Sequence, residues 1–134
     1  MQGISWCIRL HAQKNILHND IHSENILLRH NNAPCLIDFG KSTLATCPLY
    51  YDIVPGSKEH IYYNKHHLHL AYELRNIPNS PQTFSSDIFS LGCIFKSIGM
   101  YQRIQEIRSL GFKMTKDDPH ERYCLNDCLV YLLK

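Results

Sequence analysis

The first apolar pattern along the chain has helical spacing. Ile4, Cys7, Ile8 and His11 recur every three or four residues, which places them on one face of a helix over residues 4 to about 14. The pattern predicts the end of an amphipathic helix. Because no earlier element precedes it to pack against, we expect the sequence to begin within a domain.

Two short apolar runs then predict a small β-hairpin. Ile26–Leu28 and Cys35–Ile37 consist mainly of aliphatic residues, as buried or half-buried strands do. Asn31, Asn32 and Pro34 lie between the runs and are typical turn residues. The separation is short enough for the two strands to pair directly.

The rest of the chain divides into irregular segments and further helices. Residues 41–69 show little periodicity and residues 76–83 contain two prolines, so both segments are predicted to be irregular. Side chains suited to N-capping at Ser85, Ser86 and Asp87 begin a helix that we expect to be buried nearly all round. The apolar residues of the three later helices are Ile88, Leu91, Phe95 and Ile98; Ile104, Ile107 and Leu110, with a break at Gly111; and Leu125, Cys128, Leu129 and Leu132.

These elements predict a mainly α fold with a small β-hairpin, and the composition limits it to one domain. A chain of 134 residues with 44% hydrophobic and 19% charged residues can bury a core of its own. The formal net charge of +2 argues against nucleic-acid or membrane binding by bulk electrostatics. The six cysteines include no Cys-x-x-Cys pair, so we expect reduced core residues in a cytoplasmic protein without a membrane span.

A polar segment between the first helix and the hairpin carries the candidate chemistry. Asp20 and Asn25 lie just before the first predicted strand, and Asp38 follows the second. Two acidic groups with an amide between them can hold metal ions on a phosphate and orient an attacking hydroxyl. The pattern therefore favours phosphoryl transfer.

Histidines in the same region offer a competing hypothesis. His18, Asp20 and His22 alternate, so on a strand all three would face one side and could bind zinc. The histidine-rich run at 66–69 could form a second such cluster. Solvated or hydrogen-bonded histidines are the simpler alternative for both groups.

Five short motifs follow one another along the chain. They are His18-Asn19-Asp20 with Asn25, Asp38-Phe39-Gly40, Ala71-Tyr72-Glu73, Ser86-Asp87-Ile88-Phe89-Ser90-Leu91-Gly92, and Asp118-Pro119 with Arg122. Each is weak alone, but their order and the separation of Asp20 from Asp38 match the C-terminal lobe of protein kinases. The chain therefore resembles the protein-kinase superfamily over essentially its whole length.

The resemblance implies a fold and a division of the chain. The fold is protein-kinase-like, here represented by a C-terminal lobe, in a family whose whole fold is α+β. A single domain would cover residues 1–134. It would contain a catalytic loop at 18–25, an activation segment at 38–73 and a helical subdomain at 84–134.

The same resemblance implies roles for five residues of the polar segment. Asp20 would be the catalytic base that accepts the proton of a protein substrate's hydroxyl, and His22 could contact the γ-phosphate of ATP. Asn25 and Asp38 would hold Mg²⁺ on the ATP phosphates, since hard oxygen ligands suit this ion. His18 would pack beneath the loop and support it.

The resemblance further implies two buried polar contacts outside the loop. Asp87, at the start of a helix, would accept backbone N–H groups from the catalytic loop. Glu73 and Arg122 would form a buried ion pair.

The sequence also departs from the family pattern. Asn19 stands where most of these kinases have arginine, which puts control by phosphorylation of the activation segment in doubt. His22 stands where Ser/Thr kinases have lysine, so the substrate class cannot be read from it. No glycine-rich loop, strand lysine or partner glutamate precedes His18.

We therefore expect the N-terminal lobe to be absent and the chain alone to have little activity, because phosphoryl transfer depends on positioning and preorganised charge. The alternative is a pseudokinase-like binding or scaffold module without catalysis. An uncovered apolar surface around Ile4, Ile8 and the hairpin would favour self-association.

Overall fold

A computed structural model describes residues 2–134, apart from the side chains of Gln2, Gly3 and Ile8. It is α+β, with about 48% helix and small antiparallel strand pairs. The helix-rich character and the hairpin therefore agree with the pattern of the sequence. No helix in this described part combines the length and the apolar composition that a bilayer crossing needs.

The N-terminal helix is present, but it changes type midway. Helix α1 (Gln2–Cys7) continues as a π-helical segment, Ile8–Gln13, which the spacing alone did not predict. Ile4 is 1% exposed and packs in the main core with Cys7. The expected apolar surface around Ile4 is therefore wrong, and the part of that prediction that concerned the Ile8 side chain lies outside the described residues.

The predicted hairpin is confirmed to within one residue. Strand β2 (Ile26–Leu28) pairs with a strand over Pro34–Leu36, and Ile26 lies opposite Leu36. The side chains of Leu27 and Leu28 are 54% and 69% exposed. An apolar surface therefore does exist on the hairpin, as the sequence predicted.

The segment 41–69 is more ordered than predicted. Strand β4 (Thr43–Leu44) pairs with β1 (Ile16–Leu17), which precedes the hairpin. The second strand of the hairpin, Pro34–Leu36, is β3. Strand β5 is Tyr50–Tyr51 and pairs with β6, Ser80–Pro81, while α2 is Lys58–His66 and α3 is Tyr72–Asn76. Helix α2 buries none of its residues, so it has no apolar period for the sequence to display.

The long helix α4 (Phe84–Tyr101) begins one turn earlier than its predicted caps. Thr83 is the N-cap: its side chain accepts a hydrogen bond from Ser86 N, and Ser86 Oγ accepts one from Thr83 N. The seven consecutive residues 86–92 in the first half of α4 are buried, whereas Phe84 at its start is 38% exposed. Tyr101 is 86% exposed, so the prediction of burial nearly all round is wrong for the second half.

Helix α5 (Gln105–Met114) runs through Gly111, where a break was predicted. A Cβ at Gly111 would lie 2.6 Å from Lys96 N and 2.9 Å from Gly92 O. The glycine therefore allows α4 and α5 to approach closely and does not end the helix. Helix α6 (Leu125–Leu132) agrees with the prediction.

The cysteines are all free but do not all lie in the core. Cys7 and Cys128 are buried, and burial raises the pKa of the Cys128 thiol to about 12. Cys47 and Cys124 are exposed, so the prediction of core positions is wrong for these two residues.

A buried ion pair joins α3 to the turn before α6. Arg122 donates from Nη1 to Glu73 Oε1 at 3.1 Å and from Nη2 to Glu73 Oε2 at 2.9 Å. The guanidinium also donates to the carbonyl oxygens of Ser85 and Lys116. The predicted pairing of Glu73 with Arg122 is confirmed, and it links three segments of the helical region.

Removing either member of this pair should strongly destabilise the fold. Glu73→Ala or Arg122→Ala leaves a buried charge without its partner, which typically costs about 3–5 kcal/mol. The double variant should lose much less than the sum of the two single losses, as a urea-denaturation double-mutant cycle would measure. Exposed Glu121, next to Arg122, offers a matched control: Glu121→Ala should change the free energy of unfolding little. Additive losses would contradict the pairing.

Candidate active site

The loop that carries the candidate chemistry is fastened to the first turn of α4. Asp87 Oδ2 accepts a hydrogen bond from His18 N at 2.7 Å, and Asp87 Oδ1 accepts one from Asn19 N at 2.9 Å. His11 Nε2 lies 3.0 Å from Asp87 Oδ2 and donates to it, since an ionised carboxylate only accepts. The predicted role of Asp87 is confirmed, and His11 is an additional partner.

His18 is fully buried and both of its ring nitrogens are occupied. Nε2 lies 3.0 Å from Ile37 O, and Nδ1 accepts a hydrogen bond from Asp20 N at 3.2 Å. The ring also packs edge-on against Phe39, at 4.8 Å between centroids. The alternative prediction of a zinc site that includes His18 is therefore wrong. The prediction that His18 packs beneath the loop is confirmed.

Asn25 connects the loop to the hairpin. Its Nδ2 donates to Asp20 O at 2.8 Å and lies 3.3 Å from Asp20 Oδ2. Its backbone oxygen accepts a hydrogen bond from Ile37 N at 2.9 Å, which extends the pairing of β2 and β3 by one residue. Among the described residues, Asn25 Oδ1 accepts no hydrogen bond, so this oxygen remains available to a ligand.

Asp38 lies at the same end of the hairpin as Asn25. It follows Ile37 directly, and its neighbour Phe39 contacts His18, so residues on both sides of Asp38 touch the loop. Its φ of 60° is left-handed, a conformation that Asp tolerates better than most residues. The carboxylate is exposed, and its Oδ1 accepts Gly40 N at 3.2 Å. No direct hydrogen bond joins Asp38 to Asp20 or Asn25 among the described residues.

Three basic side chains in the described part of the chain converge on the Asp20 carboxylate. Lys41 Nζ lies 3.4 Å from Oδ2, while Nε2 of His22 and Nε2 of His69 lie 3.6 and 3.8 Å from Oδ1. The Asp20 side chain is 13% exposed. The sequence identified His22 as a candidate but did not place Lys41 or His69 at Asp20. The only sequence signals for these two contacts were that Lys41 closely follows Asp38 and that His69 belongs to the histidine-rich run.

The three basic groups differ in charge. His22 Nε2 lies 3.1 Å from Asn25 Nδ2, and because an amide nitrogen only donates, the ring nitrogen is the acceptor in this contact. Burial, reinforced by the neighbouring His22, lowers the pKa of His69 to about 4. Near neutral pH, the ammonium of Lys41 therefore supplies positive charge beside Asp20, whereas His69 does not.

Asn19 ties the loop to the segment that follows Asp38. Its Nδ2 donates to Lys41 O at 2.8 Å and to Thr43 Oγ1 at 2.9 Å. The side chain is buried, its φ is 68°, and its Oδ1 has no hydrogen-bond partner among the described residues. Asn19 thus holds directly, through its amide, a segment that begins three residues after Asp38.

The Asp20 carboxylate opens into a cleft of about 700 Å³. Its lining combines polar and histidine side chains with residues of α4. The lining residues that bear on the chemistry are Asp20, His22, Lys41, His69, Ile94 and Ile98. Among the described residues, no group of three or more His, Cys, Asp or Glu side chains is arranged to hold a metal ion.

The structure thus brings Asp20, His22 and Asn25 into mutual contact, and the hairpin bonds Asn25 to Ile37, the residue before Asp38. Comparison with known protein families gives no matching family model, and comparison with curated proteins gives no match either. The geometry of the site is therefore the main guide to its chemistry.

The lowered pKa of His69 should make stability depend on pH. As the pH falls from about 6.5 toward about 4, the unfolded chain binds a proton at this histidine before the folded chain does, so the free energy of unfolding should fall. Urea denaturation at several pH values in this window measures the slope. His69→Gln should flatten the slope, whereas the exposed control His120→Gln should leave it unchanged. A slope in His69→Gln equal to that of the unaltered chain would contradict the prediction.

Proposed function

We propose that this chain is the C-terminal lobe of a protein-kinase-like domain, and that its site serves transfer of the γ-phosphoryl group of ATP to a hydroxyl of a protein substrate. One observation carries the proposal. A loop fastened by Asp87 holds Asp20 and Asn25 together, and Asp38 lies at the same end of the hairpin as Asn25. The motif order supports the same family.

The donor set suits Mg²⁺ bound together with a nucleotide. Mg²⁺ prefers oxygen ligands and is usually held by one or two protein groups plus substrate phosphates and water. The amide nitrogen of Asn25 donates to Asp20 O, so Asn25 Oδ1 is available to bind the ion. The exposed Asp38 carboxylate offers a second oxygen ligand. Bound Mg·ATP would supply the phosphoryl group and the positive charge that stabilises the negative phosphates.

Asp20 has the position of a general base. Its carboxylate faces the cleft, and the bond from Asn25 Nδ2 to Asp20 O fixes its backbone. A substrate hydroxyl within hydrogen-bond distance would pass its proton to the carboxylate as the hydroxyl oxygen attacks. His22 borders the same carboxylate and would orient the reacting groups.

Binding of ATP by these 134 residues alone should be weak. Residues 1–17 contain no glycine-rich loop or strand lysine of the kind that covers and pairs the nucleotide phosphates. A test must therefore detect weak binding and report where it occurs.

Paramagnetic broadening with Mn²⁺ in place of Mg²⁺ meets both requirements. In ¹H–¹⁵N NMR spectra, Mn²⁺ with ATP should selectively broaden the amide signals of residues 18–25 and 38–41. Asp38→Ala should remove this broadening because it removes a metal ligand. The exposed control Asp117→Ala should retain it.

Broadening that persists in Asp38→Ala, or that centres on the histidine-rich run at 66–69, would contradict the proposed function. A second candidate is then a binding or scaffold module of the same fold without catalysis. The exposed leucines Leu27 and Leu28, together with the half-exposed Phe39, are the observation that favours it. Phe39 also lines a cleft of about 470 Å³ with Trp6.

A further inference from the structure

We propose that Lys41 binds the phosphoryl group at Asp20 and that Asn19 is the residue that positions Lys41 for this task. The inference rests on the proposed function and names an additional residue for the same site. It starts from the ion-pair distance of 3.4 Å between Lys41 Nζ and Asp20 Oδ2.

The Lys41 ammonium is free to bind more than Asp20. An ammonium has three N–H donors, and the contact with Asp20 engages one of them. The Lys41 side chain is 60% exposed and lines the cleft into which Asp20 faces. The remaining donors can therefore reach an anion bound in the cleft beside the carboxylate.

The backbone of Lys41 is fixed, which distinguishes it from an ordinary surface lysine. Asn19 Nδ2 donates to Lys41 O at 2.8 Å and to Thr43 Oγ1 at 2.9 Å. Ser42, between them, donates from its backbone N to Phe39 O at 3.0 Å and from Oγ to His18 O at 3.3 Å. Contacts to two adjacent loop residues thus hold the segment that presents the lysine.

Of the three basic groups at Asp20, Lys41 is the one that would bind the phosphoryl oxygens. Lys41 Nζ is the nearest of the three basic groups to the carboxylate, at 3.4 Å from Oδ2, whereas Nε2 of His22 also contacts Asn25 Nδ2 at 3.1 Å. Phosphoryl oxygens carry negative charge throughout transfer, and a fixed cation at this point lowers the energy of that charge. Lys41 would touch the phosphoryl oxygens, whereas Asn19 would act only through Lys41.

Inorganic phosphate is a direct probe of this site because it needs no nucleotide pocket. Titration followed by ¹H–¹⁵N NMR should show millimolar binding, with signals of residues 20 and 40–42 shifting most. Lys41→Ala should weaken binding about ten-fold, because a charge-assisted contact is lost. Lys41→Arg should restore most of the affinity, and the exposed control Lys58→Ala should not change it.

The role of Asn19 is tested by coupling. Asn19→Gly keeps the left-handed backbone accessible while it removes the amide that holds Lys41. The variant should weaken phosphate binding several-fold in the unaltered chain and have almost no effect in the Lys41→Ala background. A merely structural role would reduce binding by the same factor in both backgrounds.

Failure of this inference and failure of the proposed function are distinguishable. Absence of phosphate binding through the millimolar range, or equal binding by Lys41→Ala, overturns the role of Lys41 even where Mn²⁺ with ATP broadens residues 18–25. Phosphate binding that depends on Lys41, without such broadening by Mn²⁺ and ATP, supports the anion site and contradicts the proposed nucleotide chemistry.

Discussion

The structure around the candidate site depends on one buried carboxylate. Asp87 accepts hydrogen bonds from the backbone N–H groups of His18 and Asn19 and from the ring of His11. A buried carboxylate is stable only when its oxygens are hydrogen-bonded, and two of these donors belong to the loop itself. The loop therefore supplies the hydrogen-bond donors that the Asp87 carboxylate requires. The same bonds fix the position of Asn19, the residue that precedes Asp20.

Two sets of hydrogen bonds connect the loop to the segments on either side of Asp38. Through His18, whose ring bonds to Ile37 O, the loop is joined to the hairpin strand that leads into Asp38. Through the amide of Asn19, it is joined to Lys41 and so to the cation that faces Asp20. Two consecutive loop residues thus set the positions of Asp20, Asp38 and Lys41, which lie on separate segments.

The sequence predicted the elements that carry apolar runs or apolar spacing, such as the hairpin and α6. It also predicted the partners of residues in recognisable motifs, such as Asp87. It failed where structure does not depend on an apolar face. Helix α2 buries no residue, so periodicity could not reveal it. Gly111 looked like a helix end because spacing cannot distinguish a break from a close helix contact. Lys41 and His69 reach Asp20 only through tertiary folding, which no local pattern records.

The central claim is that Asp87 holds the loop at residues 18–25, and amide hydrogen exchange tests it most directly. In Asp87→Asn one acceptor oxygen is replaced by a donor, so the His18 and Asn19 amides can no longer both be bonded. The account predicts that exchange at these two amides accelerates at least about ten-fold more than exchange at the core amide of Leu91. The reason is that a lost hydrogen bond to a charged group is worth about 1.5–3 kcal/mol. Equal acceleration at all three amides, or unchanged protection at His18 and Asn19, would contradict it.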